Sequence, residues 1–227
     1  MKINELRNLN DIPRVEKRGL YKRSLCKNTG DSLFVDDYLQ KINYCIQDLN
    51  QELTCIDELS TKSIVFIITL VTWISEAMHA LQKRYRSVIM AGFCYSGEND
   101  LKLACDYLKA LRSFAIAHPL KTEKHSAYGM DGSLICIDIV LPHKSLSLHP
   151  DEHFRTLNHM GLHKEKPLKA DFYLQAYSRE IEHEVHPVFI GCTLSDIYHV
   201  AKLYIDKLYA LDQYLRKMTK DGREVKA

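Results

Sequence analysis

Apolar positions recur at helical spacing over four stretches of the chain. Val35, Leu39, Ile42, Ile46, Leu49, Leu53 and Ile56 step by four and three, one stripe along a helix of about seven turns. The turn-forming run "NTGDS" (28–32) precedes it, with Asp31 or Ser32 positioned as its cap. After "ELSTKS" (58–63), Ile67, Val71, Ile74, Met78 and Leu81 mark a second helix from near Lys62 to about Arg86. Its first half is apolar nearly all round, so it is expected to be the most buried helix. The loop "GFCYSGEND" (92–100) supplies Ser96 or Asn99 to cap a third helix, with Leu101, Ala104, Leu108, Leu111 and Ala115 on one face. A fourth helix occupies "GCTLSDIYHVAKLYIDKLYALDQYLRKM" (191–218). There Ile197, Ala201, Tyr204, Leu208, Leu211, Leu215 and Met218 form the stripe, and Thr193 with Asp196 resembles a capping box.

The pattern changes between 119 and 190, which hold five of the six prolines. "SLICIDIVLP" (133–142) and "DFYLQAYS" (171–178) alternate like strands and are expected to pair antiparallel. The segment 143–167 between them reads as an irregular, partly helical loop. The expected architecture is mainly α within the α+β class, a single domain over 1–227. Residues 32–118 and 191–218 would form an antiparallel four-helix bundle, and 119–190 a small insertion with a β-hairpin. Residues 1–30 would form a basic N-terminal arm, and the tail after 218 is polar and expected to fray.

Composition narrows this little. With 227 residues, 46% hydrophobic and 26% charged, the chain can bury a core without cross-links. A net charge of +2 lacks the strong basic excess of a typical nucleic-acid binder, but the basic residues cluster at 1–30 and in "QKRYRS" (82–87). Each cluster reads either as solvated surface or as a phosphate-contacting rim. The seven scattered cysteines include no C-x-x-C pair, which favours a reducing compartment. The N-terminus shows no signal-peptide pattern, and the run "SIVFIITLVTWI" (63–74) falls short of the roughly 20 residues that span a bilayer. A cytoplasmic protein with no membrane partner is expected.

Histidines fall at four-residue spacing in "HPDEH" (149–153) and "HMGLH" (159–163), and at three in "HEVH" (183–186). Pro150 and Gly161 interrupt helical geometry, and neither four-residue pair is H-E-x-x-H, so these read as exposed loop histidines with no metal. No phosphate-binding glycine loop or nucleophile elbow is present, Cys94 and Cys105 have no evident base partner, and no cofactor is expected. Tyr204 is expected in the core, and Tyr198, Tyr209 or Tyr214 at a dimer surface.

One stretch concentrates chemistry. In "LRSFAIAHPL" (111–120), Arg112 and His118 stand six positions apart at the end of the third helix. Six ideal helical steps leave their side chains about 240° apart. Pro119, however, disfavours the α region for His118, which frees that ring to swing back toward Arg112. Arg followed by four to six residues and His, at a helix end in a four-helix bundle, resembles the signature of the HEPN superfamily. The match covers "RSFAIAH" (112–118) and, more loosely, the bundle; Ser113 stands where that family commonly has Asn, Asp or His.

The resemblance implies a metal-independent endoribonuclease cleaving single-stranded RNA, of the kind found in toxin–antitoxin and phage-defence systems. It implies Arg112 and His118 as the catalytic pair, Ser113 as a supporting polar group, and a homodimer placing two such sets in one groove. An antitoxin or regulatory protein is a further implied partner. The alternative reading is a non-catalytic helical-bundle module that binds a protein or ligand and carries a vestigial motif.

Overall fold

The computed structural model describes residues 3–12, 18–117, 134–142, 153–164, 169–180 and 184–220. Among the described residues, five α-helices and five strands follow in chain order: α1 (Thr29–Thr54), α2 (Thr61–Gln82), α3 (Ser87–Ala91), α4 (Glu98–Arg112), β1 (Leu134–Val140), β2 (His153–Asn158), β3 (Gly161–Lys164), β4 (Phe172–Glu180), β5 (Glu184–Cys192) and α5 (Leu194–Lys220). The chain divides into two compact units. One comprises Met1–Ile3, Cys55–Thr69 and Lys102–Val200; the other comprises Asn4–Thr54, Leu70–Leu101 and Ala201–Ala227. The class is α+β, with the four long helices where the periodicity places them.

The helical stripes are the buried faces. Val35, Leu39, Ile42, Ile46 and Leu49 are buried on α1; Ile67, Val71, Ile74, Met78 and Leu81 on α2; Leu101, Ala104, Leu108 and Leu111 on α4. On α5 the buried set runs Ile197, Ala201, Tyr204, Leu208, Leu211 and Leu215. By length and composition α2 could cross a membrane, but it is buried as a core helix is, with Ile64, Ile68 and Val71 fully covered. The caps differ in part from expectation. Asn28 Oδ1 accepts the Asp31 N–H (2.9 Å) and so caps α1, because Asp31 is drawn off to Arg84, whose Nη1 lies 3.0 Å from its carboxylate. The Thr193–Asp196 box is made: Thr193 Oγ1 accepts the Asp196 N–H (3.1 Å) and donates to the Asp196 carboxylate (2.6 Å).

In the second unit the N-terminal segment is sewn to the helices rather than held out as an arm. Leu6, Leu9, Ile12, Leu20 and Cys26 are buried. The Leu6 N–H donates to Asn50 Oδ1 (2.8 Å), Asn50 Nδ2 donates back to the Leu6 carbonyl (2.9 Å), and the Leu9 N–H donates to Asn43 Oδ1 (3.1 Å). Asn43 and Asn50 lie two turns apart on α1, so one face of that helix reads an extended chain. Further on, Gly19 has a left-handed φ of +58°, and a Cβ there would collide with the Asp212 carboxylate. The Leu20 N–H donates to that carboxylate (3.1 Å), and Tyr85 Oη donates to the Leu20 carbonyl (2.8 Å).

The basic cluster at 82–87 mostly serves this seam. Arg84 bonds Asp31 and Tyr38 and lies over the Phe34 ring, Tyr85 is buried, and Arg86 Nε donates to the Cys26 carbonyl (3.3 Å). Of the tyrosines named for a dimer surface, Tyr209 and Tyr214 bond within this unit. Tyr198 is buried, Tyr209 Oη donates to the Asn8 carbonyl (2.6 Å), and Tyr214 Oη donates to the Ile89 carbonyl (2.9 Å).

Burial is expected to make this unit alkali-sensitive. It pushes the Cys26 and Cys45 thiols from 9.0 up to about 11, and the Tyr85 phenol well above 10.0. A group whose pKa is raised on folding stabilises fully below its unfolded pKa, and that stability is lost as pH rises through the folded value. The unfolding midpoint is therefore expected to hold up to about pH 9 and then to decline steadily through pH 11. A midpoint unchanged at pH 11 in a calorimetric series would contradict this.

The first unit holds a mixed five-stranded sheet in the order β1-β4-β5-β2-β3. The expected antiparallel pairing of 133–142 with 171–178 is present as β1 on β4, with Ile137 opposite Ala176 and Ile139 opposite Leu174. The insertion is nonetheless more than a hairpin. The segment expected as a partly helical loop contains β2 and β3, and β5 joins β4 antiparallel and β2 parallel. Phe172, Leu174, Ala176, Val188, Ile190 and Cys192 bury one face of the sheet. Phe154, Tyr173 and Phe189 pack ring to ring on the other.

Candidate functional site

The end of α4 carries the sequence motif. Through Leu111 the helix keeps its apolar face inward while Lys109 and Arg112 stay exposed. Both cations lie in the last turn of the α-helix. The α-helix then yields to a π-helical turn over Ser113–Ala117, five residues earlier than a proline-driven stop implies. Such single π turns change the angular phase of the residues beyond them and occur often at functional sites. Ser113, at 6% exposure, and Phe114 are buried, so the structure does not bring the Ser113 hydroxyl to the solvent face that holds Arg112. His118 and Pro119 lie outside the described residues.

The histidine-rich segments do not follow helical geometry. His159 sits at the turn of the β2–β3 hairpin, where Asn158 Oδ1 accepts the Met160 N–H (2.9 Å) and Gly161 takes a φ of +111°. His159 Nε2 lies 3.1 Å from the Asp196 carbonyl; a carbonyl only accepts, so that nitrogen donates. Its ring lies between those of Tyr107 (4.9 Å) and His199 (5.1 Å). The Tyr107 hydroxyl is buried without a hydrogen-bond partner among the described residues, and burial, with Cys192, Asp196 and Asp171 adding, pushes its phenol well above 10.0. His153 opens β2 and His186 lies within β5, whereas His149 and His183 fall outside the described residues. Among the described residues, no three His, Cys, Asp or Glu side chains converge as a metal site.

Sequence reasoning missed a cleft of about 440 Å³ in the second unit. His79 and Gln82 come from the end of α2 and Lys83 follows; Met90 comes from α3, Phe93, Cys94 and Tyr95 from the connection to α4, Glu98 from the first turn of α4, and Lys207 from α5. Lys207 is buried, and its ammonium donates to both Glu98 carboxylate oxygens (3.0 and 2.8 Å). One signal was legible: Lys207 lies three residues after Tyr204 and four before Leu211, on the core face of α5. His79 Nδ1 bonds the Ser75 carbonyl (2.8 Å), so in the neutral ring Nε2 is the acceptor. Burial, with Asp206, Asp100 and Glu98 adding, pushes the Tyr95 phenol above its ordinary value. No family model matches this chain, and neither a curated protein nor a solved structure matches it.

Proposed function

We propose that this protein is an HEPN-like, metal-independent endoribonuclease of the cytoplasm that cleaves single-stranded RNA, acting as a homodimer in a toxin–antitoxin or phage-defence setting. The observation that carries this reading is local. An exposed arginine closes α4, and a π turn then takes the chain off the α track directly before His118. The reading takes the long helices α1, α2, α4 and α5 as the bundle of an HEPN domain.

The chemistry needs few groups. RNA provides its own nucleophile, the 2′-OH. His118 removes that proton, or delivers one to the departing 5′-oxygen, and histidine titrates in the range where both are feasible. Arg112 holds the phosphate with a planar fork and offsets charge on the pentacoordinate phosphorus. Attack forms a 2′,3′-cyclic phosphate and breaks the P–O5′ bond, leaving a 5′-hydroxyl. A second protomer supplies a second His118, so that acid and base are separate groups. Ser113 supports the helix end from within, and the sheet forms the rim of the groove or the seat of an antitoxin.

Induced expression in a bacterial host tests this. The parent chain is expected to arrest growth, with Arg112→Ala and His118→Ala each restoring it. Equal growth and equal cellular RNA profiles from all three would count against catalysis and for a non-catalytic binding module.

A further inference from the structure

We propose that the cleft between the end of α2 and the start of α4 binds a small organic carboxylate with a flat apolar body, and that Glu98 is its built-in placeholder. The cleft volume, about 440 Å³, lies in the range of small-molecule sites. Its ion pair is lopsided: the Lys207 side chain is 11% exposed and that of Glu98 62%. A buried ammonium must keep a counter-charge, because leaving it unpaired is costly. An exposed carboxylate loses little by turning to water. The cation is therefore fixed and the anion exchangeable. The two Glu98 oxygens, 3.0 and 2.8 Å from Lys207 Nζ, show how an incoming carboxylate would sit.

The remaining lining matches such a ligand. Lys83 is exposed and has no ion pair among the described residues, so the lining holds two ammonium groups and one carboxylate, Glu98. Tyr95 keeps its proton at neutral pH and can donate, as can the Gln82 amide. Met90 and Phe93 provide the apolar floor, and Phe93 is held by Tyr214, whose ring centre is 5.5 Å away. No arginine lines the cleft, so the planar fork that favours phosphate is missing there. A carboxylate attached to an aromatic ring satisfies both the cations and the floor.

The test is calorimetric or NMR titration of the full chain with phenylacetate, and separately with inorganic phosphate. Saturable phenylacetate binding is expected in the parent. Glu98→Gln, which removes the competing carboxylate, is expected to tighten it about fivefold or more. Lys207→Met is expected to abolish it; an apolar side chain of similar length suits a buried position, and an unchanged far-UV spectrum reports that the variant folds. Lys83→Ala, at an exposed position, is expected to weaken binding several-fold without touching the core. The proposal is overturned if Glu98→Gln binds no tighter than the parent, if Lys83→Ala and Lys207→Met bind as the parent does, or if no saturable binding occurs. Phosphate binding with the same variant ranking and greater affinity would overturn the carboxylate assignment. None of these outcomes depends on whether the chain cleaves RNA.

Discussion

Asp212→Ala is expected to destabilise the folded chain by about 3 kcal/mol or more. Asp212 is 5% exposed, and its carboxylate does two jobs. One oxygen accepts the Leu20 N–H, 192 residues away in sequence, and the other accepts Arg216 Nε. Truncation removes the carboxylate that pairs with the largely covered Arg216 guanidinium, and leaves a buried backbone donor unsatisfied, which alone costs about 1–3 kcal/mol. The N-terminal seam at Gly19–Tyr21 should loosen with it. Lys202→Ala, which breaks an exposed pair with Asp206, is the control and should cost under about 1 kcal/mol. Urea unfolding of both variants checks this; an Asp212→Ala midpoint matching that of Lys202→Ala would contradict it.

The second large effect concerns rate. His118→Ala is expected to slow RNA cleavage by about 10²–10⁴-fold, the usual contribution of a positioned acid or base. Arg112→Ala should also slow it strongly, and Arg112→Lys should not restore it, because a point charge cannot replace the two-pronged grip on a phosphate. Stability should barely respond at Arg112, an exposed position. Single-turnover cleavage of a labelled RNA by each variant, alongside thermal unfolding, separates the two effects. Parental rates in both alanine variants would remove Arg112 and His118 from catalysis.

The helices were legible because aliphatic residues repeat at the helical period over long windows, as in Val35 to Leu49 and Ile197 to Leu215. β1 and β4 were legible for the matching reason, alternation with β-branched and aromatic residues. β2 and β3 were not: "HFRTLN" and "GLHK" form a short hairpin rich in polar residues, and β2 joins the sheet through β5, some 35 residues further on. β5 was obscured by Pro187, which has no N–H to give a ladder. Among the described residues, pairing with β2 begins at Val188, and Pro187 is paired on the β4 side, opposite Tyr177.

The N-terminal seam left no local trace, since its bonds run to Asn43, Asn50, Tyr85 and Asp212, all distant in sequence. Asp31 was expected as a cap for the same reason: sequence shows the local option, not the Arg84 guanidinium 53 residues on that claims it. At the motif, the exposure of Arg112 follows from its place off the α4 stripe. The π turn has no sequence signal of its own. The cleft has only one, Lys207 on the core face of α5, because its lining comes from four helices and the segments joining them.

The most direct test of the nuclease reading is end analysis of single-stranded RNA incubated with the purified full chain in excess EDTA. Cleavage should persist in chelator, yield 2′,3′-cyclic phosphate and 5′-hydroxyl termini, and vanish with His118→Ala. Intact RNA with the parent chain, 5′-phosphate termini, or equal cutting by His118→Ala would contradict it.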